Sequence, residues 1–358
     1  MLYYQLLMIT KIIDQAKIDK IGKYINKGER FVILTHTSPD GDAIGAALGM
    51  WYYLSVLEKT ATIVIPNAIP SFLGFLKGAK DILNYEKYPD YCAQLIAEAD
   101  VLLCLDFNSP RRIGDMAPLL IDAKGKKVLI DHHPDPDPQF DLQISYPQIS
   151  STAEIVFRVI ARSGDFELIT KPCAEAIYTG MMTDTGGFTY NSNHSEIYFI
   201  ISELIKKGVD KDWIYTQVYN TYSEDRIKLM GYVLYKKMKV YPDCGAALIT
   251  LTNDELKRFN HKIGDTEGFV NIPLGIDGVV FSTFIRETRE HVKLSFRSTG
   301  DFATNTFSAA HFGGGGHVNA SGGEFSGTID EAIALFEEAL AGYKSELQAE
   351  IKKRNKRL

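Results

Sequence analysis

Four short runs, apolar at nearly every position, constrain this chain more than any other feature: Phe31-Val32-Ile33-Leu34, Thr62-Ile63-Val64-Ile65, Val101-Leu102-Leu103-Cys104-Leu105 and Val128-Leu129-Ile130. A strand that is apolar throughout, rather than at alternate residues, is covered on both faces. Stretches with apolar residues at helical spacing lie around 11–27, 43–57 and 92–98, and two more follow at 152–163 and 173–183. Short buried strands alternating with helices make a parallel sheet with crossover helices. A chain of 358 residues exceeds what one core organises, so a second domain is expected.

The style changes further on. Residues 194–238 are helical and amphipathic, through Ile197, Phe199, Ile200, Leu204 and Ile205. Strand-like segments follow at 246–251, 278–285 and 291–296, then a glycine-rich turn and a helix over about 330–349. The expectation is an α/β protein: an N-terminal parallel-sheet α/β domain over 1–193, a helical linker over 194–238, and a smaller C-terminal mixed-sheet α/β domain over 239–345.

Composition excludes some function classes. Hydrophobic residues at 45% and charged residues at 23% suit a folded soluble chain, and a net charge of -6 argues against coating long duplex DNA. It leaves room for a small phosphorylated ligand, because bound cations invert the local field. Cys92, Cys104, Cys173 and Cys244 form no C-x-x-C pair and read as small buried hydrophobes, not as disulfide partners or zinc ligands. The apolar opening Met1–Ile9 is far short of the ~20 residues of a membrane helix. It also lacks the basic stretch and cleavage site of a signal peptide. The expected location is the cytoplasm, with no membrane partner, and Met8 is an alternative start. The basic run Lys352–Arg357 reads as a solvated end.

Acidic and histidine residues sit where the front strands end. The first strand runs into Thr35-His36-Thr37-Ser38-Pro39-Asp40-Gly41-Asp42, the third into Asp106, and the fourth into Asp131-His132-His133. In an open α/β sheet, ligands collect beyond the carboxyl ends of the strands, so these residues converge. Each has a bland alternative: Asp42 as a helix cap, Asp40-Gly41 as a turn, Asp131-His132-His133 as an exposed loop. Three strand ends carrying the same chemistry make those alternatives poor jointly. Imidazoles with several carboxylates suit manganese or magnesium. Clustered carboxylates repel without cations, and two ions about 4 Å apart can clamp a phosphate during in-line attack. Asp106, on a central strand, is the best-placed bridge between two ions, and Asp184 in Met182-Thr183-Asp184-Thr185-Gly186-Gly187 is a further ligand.

His36, Asp40 and Asp42, then Asp106, then Asp131-His132-His133, then Asp184 resemble the four ordered motifs of the DHH phosphoesterase superfamily. The resemblance implies two manganese ions, with magnesium as the alternative: one held by His36, Asp40 and Asp106, the other by Asp42, Asp106, His132 and Asp184. It implies that His133 contacts the scissile phosphate and that Asp131 orients the histidines, which makes His133, Asp131 and Asp106 the catalytic set. Ser150-Ser151-Thr152-Ala153-Glu154 resembles the short segment leading into the family's next helix.

A second feature lies at Phe312-Gly313-Gly314-Gly315-Gly316-His317. Four glycines in a row favour close backbone approach to an anion over a place inside a helix or strand. Alternatively they form a flexible hairpin tip. The run resembles the GGGGH signature of the DHH-associated second domain, and Arg297-Ser298 resembles that domain's strand end. Arg297, Ser298, Gly313, Gly314, Gly315, Gly316 and His317 are thereby the implied substrate-binding residues. Arg286 is the weaker candidate, expected as a surface strand residue.

The motifs, covering about residues 25–340, come nearest the NrnA-like nanoRNase/pAp phosphatase group. That resemblance implies cleavage of short RNA, of linear dinucleotides such as pApA and pGpG, and of 3′-phosphoadenosine 5′-phosphate (pAp), and it allows a homodimer. The competing readings are a RecJ-like single-strand exonuclease, whose usual extra domain has little room here, and a catalytically silent nucleotide sensor, which filled ligand positions disfavour.

Overall fold

The computed structural model describes residues 11–288 and 290–356. The opening Met1–Ile9 and Arg357 lie outside the described residues. The chain divides into two units after Thr221.

The first unit is built on a six-stranded sheet. Helix α1 (Gln15–Lys27) buries Ile18, Ile21 and Ile25, a stripe at helical spacing. It is followed by β1 (Arg30–Leu34), α2 (Gly41–Val56), β2 (Thr60–Ile65), β3 (Leu83–Asn84), α3 (Pro89–Glu98) and β4 (Val101–Leu105). Then come α4 (Ala117–Asp122), β5 (Lys126–Asp131), β6 (Leu142–Ser145), α5 (Thr152–Arg162), α6 (Lys171–Asp184), α7 (Ser195–Lys206) and α8 (Lys211–Tyr219). The sheet order is β3-β2-β1-β4-β5-β6. Every pairing is parallel. All five residues of β4 are buried, as its continuous apolar run requires.

Glycines seat α2 on α6. A Cβ on Gly45 would lie 2.6 Å from the Ala176 carbonyl oxygen, and one on Gly180 would lie 2.5 Å from Ala153 Cβ and 3.0 Å from Asp42 Oδ1. Real Cβ atoms do not tolerate such contacts, so only glycine lets these backbones meet. This seam brings the start of α2 to the end of α6.

The second unit opens with α9 (Glu224–Tyr232), a π-helical turn over Val233–Lys237, and β7 (Met238–Tyr241). β8 (Ala246–Leu251), α10 (Asn253–Arg258), β9 (Phe281–Glu287) and β10 (Val292–Ser298) follow. The unit closes with α11 (Thr304–Phe312), β11 (Gly315–His317), β12 (Ala320–Phe325), α12 (Ile329–Gly342) and α13 (Lys344–Asn355). Its sheet order is β11-β12-β10-β9-β8-β7. β8 and β9 are parallel and the other pairs antiparallel, so the sheet is mixed. The amphipathic stretch 194–238 therefore forms α7, α8, α9 and the π turn.

Cys92, Cys104 and Cys173 are buried and all four cysteines are free thiols, with Cys244 half-buried. Among the described residues no helix is long and apolar enough to cross a membrane.

Candidate functional site

β1, β4 and β5 are neighbours, and the sheet's strand order reverses between β1 and β4. A reversal of that kind opens a crevice beyond the carboxyl ends of the strands. His36 lies just past β1, Asp106 directly follows β4, and Asp131 ends β5 with His132 and His133 behind it. Asp40 and Asp42 open α2, and Asp184 is the last residue of α6. His36, Asp42, Asp106, Asp131, His132 and His133 are all buried. Asp106 has φ +65°, in the left-handed region that a side chain disfavours. Its N–H still donates to the Ile130 carbonyl at 3.1 Å, so the chain turns sharply only after strand pairing has ended.

The structure brings the front-half candidates into two groups that share Asp106. In the first, His36 Nε2 lies 3.5 Å from Asp106 Oδ2 and 4.0 Å from Asp40 Oδ1. In the second, His132 Nε2 lies 3.5 Å from Asp184 Oδ2, 3.6 Å from Asp106 Oδ1 and 3.7 Å from Asp42 Oδ2. Each histidine is aimed by its other nitrogen: His36 Nδ1 meets the Thr37 carbonyl at 2.9 Å and His132 Nδ1 the Ile149 carbonyl at 3.3 Å. That is how metal-ligating histidines are oriented in general. His133 Nδ1 sits 2.7 Å from Asp131 Oδ1, which sets its tautomer and turns Nε2 away from Asp131. The second oxygen of Asp131 is buried with no hydrogen-bond partner among the described residues.

Burial and mutual repulsion govern the charges. Burial penalises the Asp42 anion and Asp106, Asp184 and Asp40 add to the penalty, so its pKa is well above the carboxylate range despite the Ala153 N–H. Burial likewise pushes Asp184 up to about 6, with Asp40 and Asp106 adding to it and His132 and His133 opposing. Asp106 is the exception. Burial works against its ionisation too, yet the hydrogen bond from His36 and the charges of His133, His36 and His132 hold it far below the usual range. Burial also opposes the His36 and His132 cations, but Asp106 and Asp40 raise the first, and Asp184, Asp106 and Asp131 the second. The cluster thus gathers protons to offset its negative charge, and cations can replace them. Oxygen and imidazole donors without a thiolate fit a divalent cation.

In the second unit, β10 alternates: Val292, Leu294, Phe296 and Ser298 are buried, while Lys293, Ser295 and Arg297 are half-buried on the opposite face. Arg297 Nη1 donates to the Phe296 carbonyl at 2.9 Å, and no carboxylate pairs with it among the described residues. Ser298 points the other way, its hydroxyl donating to the Phe302 carbonyl at 2.6 Å and accepting from Asn319 at 2.8 Å. Arg286, expected at the surface, is half-buried, and burial lowers its pKa against the pull of Glu267.

The glycine run divides. Gly313 ends α11 at φ +58°. A Cβ on Gly314 would lie 1.9 Å from the Gly322 carbonyl oxygen, and one on Gly316 2.6 Å from the Ala320 carbonyl oxygen. These two are glycine because the hairpin packs on itself. Gly315 is exposed, with open space among the described residues where a Cβ would stand, and it belongs with His317 to β11, an edge strand beside β12.

Residues 30–181 match the N-terminal domain of the DHH family. The bifunctional oligoribonuclease and PAP phosphatase NrnA of Thermus thermophilus is 32% identical over 317 residues, covering 88% of this chain and 89% of the relative. The chain belongs to the DHH family. NrnA of Bacillus subtilis, described in the same words, is 26% identical over 82% of this chain and 88% of its own length. A crystal structure of an exopolyphosphatase-related protein from Bacteroides fragilis matches with a TM-score of 0.89 and 54% identity, over 94% of this chain and 99% of that one. Asp131-His132-His133, which begins at the last residue of β5, lies within the matched residues.

The sequence marks Thr152 and Ala153 only as part of a segment leading into a helix and gives them no role at the site. Their N–H groups bind Asp42 Oδ2 and Oδ1 at 2.6 and 2.8 Å, and the Thr152 hydroxyl binds Asp106 Oδ1 at 2.9 Å. The signal was present in Ser151-x-x-Glu154, a helix-start pattern.

Proposed function

We propose that the chain is a two-cation phosphoesterase that hydrolyses short oligoribonucleotides and linear dinucleotides such as pApA and pGpG to mononucleotides, and pAp to AMP. The observation that carries this is the division of Asp106, whose two oxygens face two separate histidine–carboxylate groups. The NrnA relatives, named for oligoribonuclease and PAP phosphatase activity, supply the substrate class.

In this reading His36, Asp40 and Asp106 hold one ion, and Asp42, Asp106, His132 and Asp184 the other. The ions are manganese, with magnesium as the alternative; when bound they neutralise the phosphate and lower the pKa of an attacking water. His133, its Nδ1 tied to Asp131, presents Nε2 to the scissile phosphate. Arg297, free of any carboxylate among the described residues, offers a fork of N–H groups to a second phosphate. Gly315 and His317 on β11 add backbone and imidazole donors. Gly313, Gly314 and Gly316 shape that turn, and Ser298 supports it through Asn319. The same reading places the enzyme in the cytoplasm and allows a second copy as its protein partner.

A substrate panel with manganese tests it: pAp, pApA, pGpG, a 5-mer, a 24-mer and pyrophosphate. The expected result is AMP from pAp and pApA and rates that fall steeply beyond the 5-mer. Equal rates on the 5-mer and 24-mer would favour the single-strand exonuclease, and no release of AMP would favour the sensor. Arg297→Ala is expected to raise KM for pAp about tenfold or more, the worth of a charge-assisted hydrogen bond, with kcat little changed. Steady-state kinetics on pAp check that split.

A further inference from the structure

Helix α5 begins at the metal-ligand cluster. Its first N–H groups have no partner within the helix. Those of Thr152 and Ala153 go to the two oxygens of Asp42, 110 and 111 residues away in sequence. The Thr152 hydroxyl, on a fully buried residue, donates to Asp106 Oδ1 at 2.9 Å. One residue therefore touches the carboxylates that open α2 and follow β4. The helix start is itself held: Ser151 accepts from the Glu154 N–H, and the Glu154 carboxylate takes Ser150 on one oxygen and Arg158 on the other.

We infer that Thr152 is a positioning residue for Asp106, fixing which of its oxygens faces which histidine. Asp106 occupies a disfavoured backbone conformation, which persists only where its surroundings over-determine it. A carboxylate also rotates easily about its last torsion. The Thr152 hydroxyl opposes that rotation, its hydrogen bond holding Oδ1 on the His132 side and leaving Oδ2 on the His36 side.

This rests on the two-cation reading, and manganese binding separates the two. Wild type, Thr152→Val and Thr152→Ser are titrated with Mn2+ by calorimetry, and the loaded proteins are examined by electron paramagnetic resonance. Wild type is expected to bind two ions with a spin-coupled signal. Thr152→Val is expected to bind one ion roughly 10–100-fold more weakly, the usual effect of losing a partner of a metal ligand, and to lose the coupled signal at two equivalents. Thr152→Ser restores both. If Thr152→Val does not fold, Thr152→Ala carries the same expectation. Two ions at wild-type affinity with the coupled signal intact in Thr152→Val or Thr152→Ala overturn the inference. A wild type that binds a single ion overturns the two-cation reading instead, and Thr152 is then judged by the affinity of that ion.

Discussion

Asp106→Asn is expected to lower kcat on pAp and pApA by roughly a thousandfold or more, about 4 kcal/mol of transition-state stabilisation. The shape of the side chain is kept, and the amide oxygen can still accept from Thr152. What is lost is the one carboxylate of the cluster that the surrounding imidazoles hold firmly ionised. An amide also offers one oxygen where Asp106 has two, and its NH2 would face either His36 or His132. Both histidine–carboxylate groups lose their common member, so metal content should fall together with kcat. Turnover within about tenfold of wild type, less than the usual effect of removing one charge-stabilising group, would remove Asp106 from the centre of the site. The circular dichroism spectrum of the variant separates lost chemistry from lost fold.

The first sheet was legible because its central strands cannot be anything else. Val101–Leu105 is too short for a helix and too apolar for an exposed strand. The edges were not. β3 is two residues long, and β6 carries alternating burial with half-exposed Gln143 and Ser145, a weak pattern beside a turn-rich segment. In the second unit the strand expected from Gly278 starts at Phe281, because Gly278 itself sits at φ +75°. The expected helix over 330–349 breaks at Tyr343 into α12 and α13. Tyr343 packs its ring on Phe302, Phe307 and His311, a tertiary demand that helical periodicity does not carry.

At the site, residue types and order were legible, and their hydrogen bonds were not. Asp40, a candidate ligand whose bland alternative is a turn residue, is a helix cap as well: Oδ1 takes the Asp42 and Ala43 N–H groups and is also the oxygen 4.0 Å from His36 Nε2. Asp42 is no cap of its own helix but is bound by the start of α5, a contact no local pattern contains. Ser151-x-x-Glu154 completes only half of a capping box, since Glu154 is drawn to Ser150 and Arg158. Gly314 and Gly316 carry the same letter as Gly315 for a different reason, close packing in the hairpin, which appears only once β11, β12 and α11 are assembled.

Manganese is expected to stabilise the protein more at pH 8 than at pH 5.5. In the metal-free protein Asp42 and Asp184 have raised pKa values, so the stability they lend is full below the ordinary carboxylate range and is lost as pH rises, for Asp184 between 3.8 and about 6. His36 and His132 are raised as well and lose theirs as pH climbs past the ordinary 6.5. Asp106 runs the other way: its contribution is present above the ordinary range and fades only in strong acid. At pH 8 the cluster is left with repelling carboxylates, and a divalent cation relieves more strain there than at pH 5.5, where protons compete for the same atoms. At a hundredfold excess over Kd, binding contributes about 2.7 kcal/mol, a rise of about 5–10 °C in Tm for a unit of this size. Thermal melting with and without manganese at the two pH values measures it, with a chelator abolishing the rise and the turnover together and added manganese restoring both. An equal rise at pH 5.5 and pH 8 would mean that the metal binds away from these carboxylates.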